Sequence, residues 1–282
     1  MSAEPEIRSE VRQIHGLATH LLASGSGDSA LLWFPGVGDE AASFRPVLLG
    51  LSRRLAGVAR VLAVDPPGYW NASAWPRPAL PAFTTLYAWA GAVLRDLNPR
   101  PASVIVCGNS SGAALAIAAA AHAPRLVRGL ISVCWPQWRP GEAPTGAELS
   151  PADLVGYYQL LKRSWHHPPR VPALIAQVGL ARLSTPLYRA HIESFDALSC
   201  QQNLALYKGP VLFVGASSDG LVPAESLQRS AEARPGSRLL WLTECGHYPH
   251  REQPQQLTNL LTEFVLERLG DYRGEACERP SL

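Results

Sequence analysis

The sequence predicts an α/β architecture: a mostly parallel sheet covered by helices on both faces, with a helical segment inserted between two of its strands. Three observations predict it. Short apolar runs of strand length alternate with segments of helical periodicity. Those strands read as continuous apolar runs, as strands buried on both faces do. One long stretch then interrupts the alternation with helix signals alone. The 282 residues, 47% hydrophobic and 17% charged, suffice for one compact domain with a sizeable core and an inserted subdomain.

In chain order, Val11 to Leu22 reads as two short strands turning at Gly16, and Leu31-Leu32-Trp33-Phe34 is an apolar run stopped by Pro35-Gly36. Helical periodicity covers Ser43 to Ala56. Arg60 to Val64 is a buried-type strand ended by Asp65-Pro66-Pro67-Gly68, and after a proline-rich loop a helix is expected over Thr84 to Leu97. Ser103 to Cys107 is the next strand. It enters Gly108-Asn109-Ser110-Ser111-Gly112 and leaves as the Ala-rich, helix-favouring segment Ala113 to His122. Gly129 to Cys134 is one more apolar strand.

From Trp135 to Lys208 the pattern is helical without a convincing strand. Ser150 offers an N-cap with Pro151 at the first helical position, and Leu154, Tyr157, Tyr158 and Leu161 follow at helical spacing. The predicted division is a core of residues 1–134 and 209–282 carrying a helical insertion over 135–208. Strands Gly209 to Val214 and Arg238 to Leu242, with a helix after Pro223 between them, resume the alternation. Leu257, Leu260, Leu261, Phe264, Val265 and Leu269 make one apolar stripe on a last helix ended by Gly270.

Composition excludes several function classes. Lys plus Arg is 25 against 23 for Asp plus Glu, a formal charge of +2, and no window gathers the basic residues into a stripe, so nucleic-acid binding is not expected. The start, Met1 to Glu10, is polar and acidic and lacks the pattern of a secretory signal, which points to the cytoplasm. The longest apolar stretch, Ala113 to Ala121, falls well short of the roughly 20 residues that cross a bilayer. Cys107, Cys134, Cys200, Cys245 and Cys277 are an odd number without a CxxC, so free thiols are expected, neither a disulfide framework nor a zinc site. No metal-ligand spacing, P-loop or G-x-G-x-x-G fingerprint is present, so no cofactor is expected. The expected partner is a small-molecule substrate, with neither nucleic acid nor membrane; a homodimer is left open.

Gly108-Asn109-Ser110-Ser111-Gly112 fits G-x-S-x-G between an apolar strand and an Ala-rich helix. A nucleophile lifted on a sharp strand-to-helix turn strains its backbone, so the residues two before and two after must be small. The next backbone N–H, that of Ser111, lies at a helix N-terminus, where orphan donors favour an oxyanion. A serine hydroxyl needs a base, and the base an orienting carboxylate. Both follow in order: Asp219 just past the strand ending at Val214, and His247 in a loop after the strand Arg238 to Leu242.

With these residues in view the chain resembles a serine-type α/β-hydrolase. The matching segments are Phe34 to Gly38, Asp65 to Tyr69, the turn around Ser110, the Asp219 loop, and Gly246-His247 followed by Glu252-Gln253-Pro254. The resemblance implies Ser110 as nucleophile, His247 as base and then acid, Asp219 as the orienting carboxylate, and the N–H groups of Val37 and Ser111 as the oxyanion hole. It also implies that 135–208 is a cap roofing the site. Two departures stand out: the oxyanion loop carries Pro35-Gly36 where His-Gly is usual, and Ala113 stands where a second glycine often follows.

The implied activity is cleavage of an ester or related acyl bond of a small, largely apolar substrate through an acyl-enzyme, as in carboxylesterases. Asn109 and the Asp65 to Tyr69 turn also resemble meta-cleavage product hydrolases, which break carbon–carbon bonds of vinylogous keto acids; a buried arginine facing Ser110 would favour that reading. Thioester cleavage or acyl transfer uses the same three side chains, and a ligand-binding module on a hydrolase fold is the non-enzymatic alternative. Other residues carry blander expectations. His166-His167 reads as surface or cap packing, His250 as a weaker competitor of His247, and Asp65 as part of a structural turn. Trp135, Trp138, Trp165, Tyr157 and Tyr158 either line a pocket or hold the cap together.

Overall fold

The computed structural model describes residues 5–69, 80–97, 103–135, 138–139, 141–142 and 146–270. Cys277 and most of the proline-rich loop after Tyr69 lie outside the described residues. Eight described strands form one sheet: β1 (Arg8–Ile14), β2 (Leu17–Ser24), β3 (Ser29–Phe34), β4 (Ala59–Val64), β5 (Val104–Asn109), β6 (Val127–Val133), β7 (Val211–Ala216) and β8 (Arg238–Leu242). Their spatial order is β1-β2-β4-β3-β5-β6-β7-β8. β2 runs antiparallel to β1 and to β4, and every other pairing is parallel.

Burial explains the composition of the strands. β5 and β7 are buried at every position, so both faces must be apolar. β1 is an edge strand, exposed at all but its last residue and rich in charge, which discourages pairing with another chain. Along β3, alternate side chains enter opposite cores. Leu31 and Trp33 pack with Phe44, Leu257 and Phe264 on one face, and Leu32 and Phe34 with Trp89, Val93 and Leu115 on the other.

The helices that supply these layers are α1 (Arg45–Arg54), α2 (Thr85–Leu97) and α3 (Ser111–His122) in the first half of the chain. Between β6 and β7 come α4 (Gly146–Leu149), α5 (Leu154–Ser164), α6 (Ala173–Leu183), α7 (Pro186–Glu193) and α8 (Ala197–Leu206). α9 (Ala224–Glu232), α10 (Pro249–Glu252) and α11 (Pro254–Gly270) complete the order. No described helix is long and apolar enough to cross a membrane.

One expected boundary is corrected. α5 starts at Leu154, after Asp153 and not after Ser150, because the Asp153 carboxylate accepts the Gly156 N–H at 2.8 Å and caps the helix there. The proline-at-the-first-turn device occurs instead in α7, where Pro186 follows the capping Thr185. α8 packs against α3, with Cys200 and Leu204 in the core beside the Ala-rich face, whereas α5, α6 and α7 face a cavity above the C-terminal ends of the parallel strands.

Candidate active site

β5 delivers the chain to Ser110 and α3 carries it away, and the turn between them is strained. Ser110 has φ 55° and ψ −133°, a left-handed conformation that costs a non-glycine residue of order 1–3 kcal/mol. The flanking glycines are enforced by contact. A Cβ on Gly108 would lie 2.2 Å from the Gly112 carbonyl oxygen, and one on Gly112 would lie 2.2 Å from that of Phe34. The amide of Ser110 donates to the Val133 carbonyl at 2.9 Å, holding the turn to β6.

Asp219 follows β7 with its side chain almost wholly covered. Its Oδ1 accepts the amides of Leu221 and Val222 at 2.8 and 3.1 Å, and its Oδ2 accepts the Nδ1–H of His247 at 2.7 Å. A carboxylate can only accept, so the proton of His247 stays on Nδ1 and its Nε2 keeps a free lone pair. Ser110, Ser111 and His247 line one cavity. The structure thus joins Asp219 and His247 by a hydrogen bond and sets Ser110 in the same chamber.

Several supporting groups were not visible in the sequence. The Asn109 amide donates to the His247 carbonyl at 3.1 Å, tying the Ser110 turn to the His247 loop across 138 residues of chain. The C-terminal end of α5 gathers the other two loops: the Arg163 carbonyl accepts the Gly220 amide at 3.0 Å and the Ser164 carbonyl accepts the His247 amide at 2.6 Å. Glu252 accepts the amides of Gly246 and His166 at 2.9 and 2.8 Å. Cys134 places its sulfur within 4.8 Å of the ligand atoms of both Asp219 and His247. Burial and the neighbouring Asp219 carboxylate push its thiol up, so it stays protonated, which makes it a poor metal ligand.

The remaining candidates resolve into structural roles. His250 is fully buried and holds Asp39 at 2.8 Å, which ties the Pro35–Asp39 loop to the His247 loop. Burial would raise the Asp39 carboxyl, but His250 and Arg251 outweigh it and hold it well below the usual range. Asp65 accepts from the Ala41 amide and from His20, each at 2.6 Å, far from any open surface. His166 contacts the Ser218 hydroxyl at 2.9 Å. Val37 and Ser111, the expected oxyanion donors, touch each other: the Val37 amide donates to the Ser111 hydroxyl at 2.7 Å.

The cavity has a volume of about 150 Å³, a size that in an apolar protein interior holds a benzene-like molecule. Phe83, Trp135, Trp138, Leu183, Ile192 and Phe195 form much of its wall, and no Lys or Arg is among its described lining residues. Trp165, Tyr157 and Tyr158 are not among them; Trp165 packs on Tyr248 instead.

Comparisons with known proteins agree with this architecture. A profile described as "Alpha/beta hydrolase family" matches residues 21–260. The 2-(acetamidomethylene)succinate hydrolase of Mesorhizobium japonicum is 26% identical over 260 residues, covering 86% of this chain and 89% of that protein. The pimeloyl-[acyl-carrier protein] methyl ester esterase of Aromatoleum aromaticum is 25% identical over 217 residues, covering 67% and 86%. Among solved structures, carboxylesterase CesB of Bacillus subtilis superposes with a TM-score of 0.72 at 18% identity, covering 93% and 92%. The 2-hydroxy-6-oxo-6-phenylhexa-2,4-dienoate hydrolase of Rhodococcus sp. strain RHA1 gives 0.71 at 21%, covering 92% and 98%. At such identities the solved structures establish a shared fold. With the profile spanning most of its length and the sheet, helices and insertion as described, the chain belongs to the alpha/beta hydrolase family.

Proposed function

We propose that the chain is a serine hydrolase that cleaves an ester or related acyl bond of a small, uncharged substrate through an acyl-enzyme. One observation carries the reading: the 2.7 Å hydrogen bond between His247 Nδ1 and Asp219, in a cavity shared with a serine held at φ 55°. In this reading the Ser110 oxygen attacks the substrate carbonyl while its proton passes to His247 Nε2. A hydroxyl–imidazole contact of this kind commonly tightens only once substrate is bound. The oxyanion gathers at the amide of Ser111, on the first turn of α3, and at the Ser111 hydroxyl, which the Val37 amide backs from behind. His247 then protonates the leaving alcohol, and the acyl group stays on Ser110. A water gives its proton to His247, attacks the acyl carbon, and frees the acid with the Ser110 hydroxyl restored.

The cavity wall supports an uncharged substrate. A keto acid would bring a carboxylate into an apolar space without a lysine or arginine among the described lining residues, at a steep desolvation cost. This favours ester cleavage over carbon–carbon hydrolysis. Both sequence relatives are named for hydrolytic activities, which agrees with an enzyme and not a binding module.

A fluorophosphonate probe tests the nucleophile. The wild type is expected to label and Ser110→Ala to lose the label, with p-nitrophenyl butanoate turnover vanishing in both Ser110→Ala and His247→Ala. Labelling that persists in Ser110→Ala removes Ser110 from its role.

A further inference from the structure

We propose that the cavity contains a second recognition point, at which His191 Nε2 donates a hydrogen bond to an uncharged oxygen of the substrate, a ketone, amide, ether or hydroxyl, remote from the bond that Ser110 attacks. The proposal rests on the serine-hydrolase reading and narrows its substrate class.

His191, on α7, is completely buried and lines the cavity. Its Nδ1 lies 2.6 Å from the Tyr69 hydroxyl, while its Nε2 is buried without a partner. The tautomer follows from counting protons. The Tyr69 hydroxyl has His191 Nδ1 as its described partner, so the phenolic hydrogen goes to Nδ1, and the imidazole hydrogen is left on Nε2. Burial holds the ring down to about 4 and keeps it neutral. An N–H that is buried and unpaired forfeits a hydrogen bond it could make in water, and the chamber that His191 lines can supply the partner, a substrate oxygen, once the side chains that cover Nε2 give way. A second nitrogen of the same wall, Nε1 of Trp138, is also buried and unpaired.

The rest of the wall sets the charge of the acceptor. Phe83 meets the His191 ring edge-on at 5.9 Å, and no cation stands among the described lining residues to balance a carboxylate. The acceptor is therefore an uncharged oxygen. An all-hydrocarbon ester would leave Nε2 unpaired, and sites that lose a designed hydrogen bond discriminate sharply against such analogues.

Two matched pairs of esters test the proposal. One carries the ketone on the acyl side, p-nitrophenyl 4-oxopentanoate against p-nitrophenyl pentanoate. The other carries it on the alcohol side, 4-oxopentyl butanoate against pentyl butanoate, with acid release measured. The wild type is expected to prefer the ketone in at least one pair by about tenfold in kcat/KM, the value of one hydrogen bond. His191→Leu and His191→Phe are expected to bring that ratio to one or below. His191→Phe keeps a flat ring and removes both nitrogens, so it decides the matter should His191→Leu fail to fold. A wild-type ratio at or below one in both pairs overturns the proposal, as does a preference that survives in the folded variants. If cleavage depends on Ser110 but shows no preference, this proposal alone fails. If no ester is cleaved in a Ser110-dependent way, the serine-hydrolase reading fails and takes this one with it.

Discussion

The amide of Val37 donates to the hydroxyl of Ser111 at 2.7 Å, so the loop after β3 and the first residue of α3 are joined next to Ser110, at the point where the proposed reaction develops negative charge. The hydroxyl accepts from an amide and has its own hydrogen to give, which places it to pass polarisation from Val37 toward an oxyanion. Ser111→Ala removes that donor. The expected result is a fall in kcat of about tenfold, below the 10²–10³ measured for loss of a whole oxyanion donor, with little change in KM. A rise in kcat would show instead that the hydroxyl occupies the amide the oxyanion needs.

Asp39 and His250, 211 residues apart, meet at 2.8 Å in the interior, and the same carboxylate pairs with Arg251. Asp39→Ala leaves a buried histidine without its partner and should cost about 3 kcal/mol, as breaking a buried pair does. The pH dependence follows from the depressed carboxyl. The folded protein holds Asp39 ionised below the point, near 4, at which the unfolded chain protonates it. Its stabilisation is therefore complete above about pH 4 and is lost as the pH falls further. Thermal melts of wild type and variant should differ most near pH 7 and converge in acid; a constant gap down to pH 2 contradicts the assignment.

Much of this was legible in the sequence because it is local. Apolar runs of four or five residues bounded by Gly and Pro lie within β3, β4 and β5, and the G-x-S-x-G spacing announces a turn in which a Cβ on either glycine would meet backbone at 2.2 Å. What stayed hidden is what joins distant segments. No periodicity shows that Asn109 holds the His247 carbonyl, that the end of α5 anchors two loops, or that Asp65 finds His20. Tyr69 closes the Asp65 to Tyr69 turn, but nothing around it in sequence points to His191, 122 residues away. The start of α5 escapes a local reading because Ser150 and Asp153 are both good caps, and only the fold decides between them.

His191 also makes a prediction about stability. Its folded pKa of about 4 lies below the ordinary 6.5, so the unfolded chain takes up a proton that the folded one refuses. The contribution is intact above about pH 6.5 and is lost as the pH falls toward 4, by up to ~3 kcal/mol at 1.36 kcal/mol per unit. His191→Leu removes this loss. Between pH 7 and pH 4.5 the wild type should lose more thermal stability than the variant; parallel curves would mean that His191 is charged in the folded state.

Asp219→Asn separates geometry from chemistry at the site. Two backbone amides, those of Leu221 and Val222, converge on Oδ1, so an asparagine must present its oxygen there and turn its NH₂ toward His247. The present Nδ1–H of His247 would then face a donor, and the ring answers by moving its hydrogen to Nε2. That tautomer has no lone pair with which to take the proton of Ser110. The fold is little disturbed, because the amide fills the same space and keeps two of its hydrogen bonds. A fall in kcat of about 10⁴, the size seen when this exchange is made in a serine protease, is expected with a melting temperature within a few degrees of wild type. Fluorophosphonate labelling should slow in proportion. If kcat falls less than tenfold while the variant stays folded, Asp219 does not orient the base.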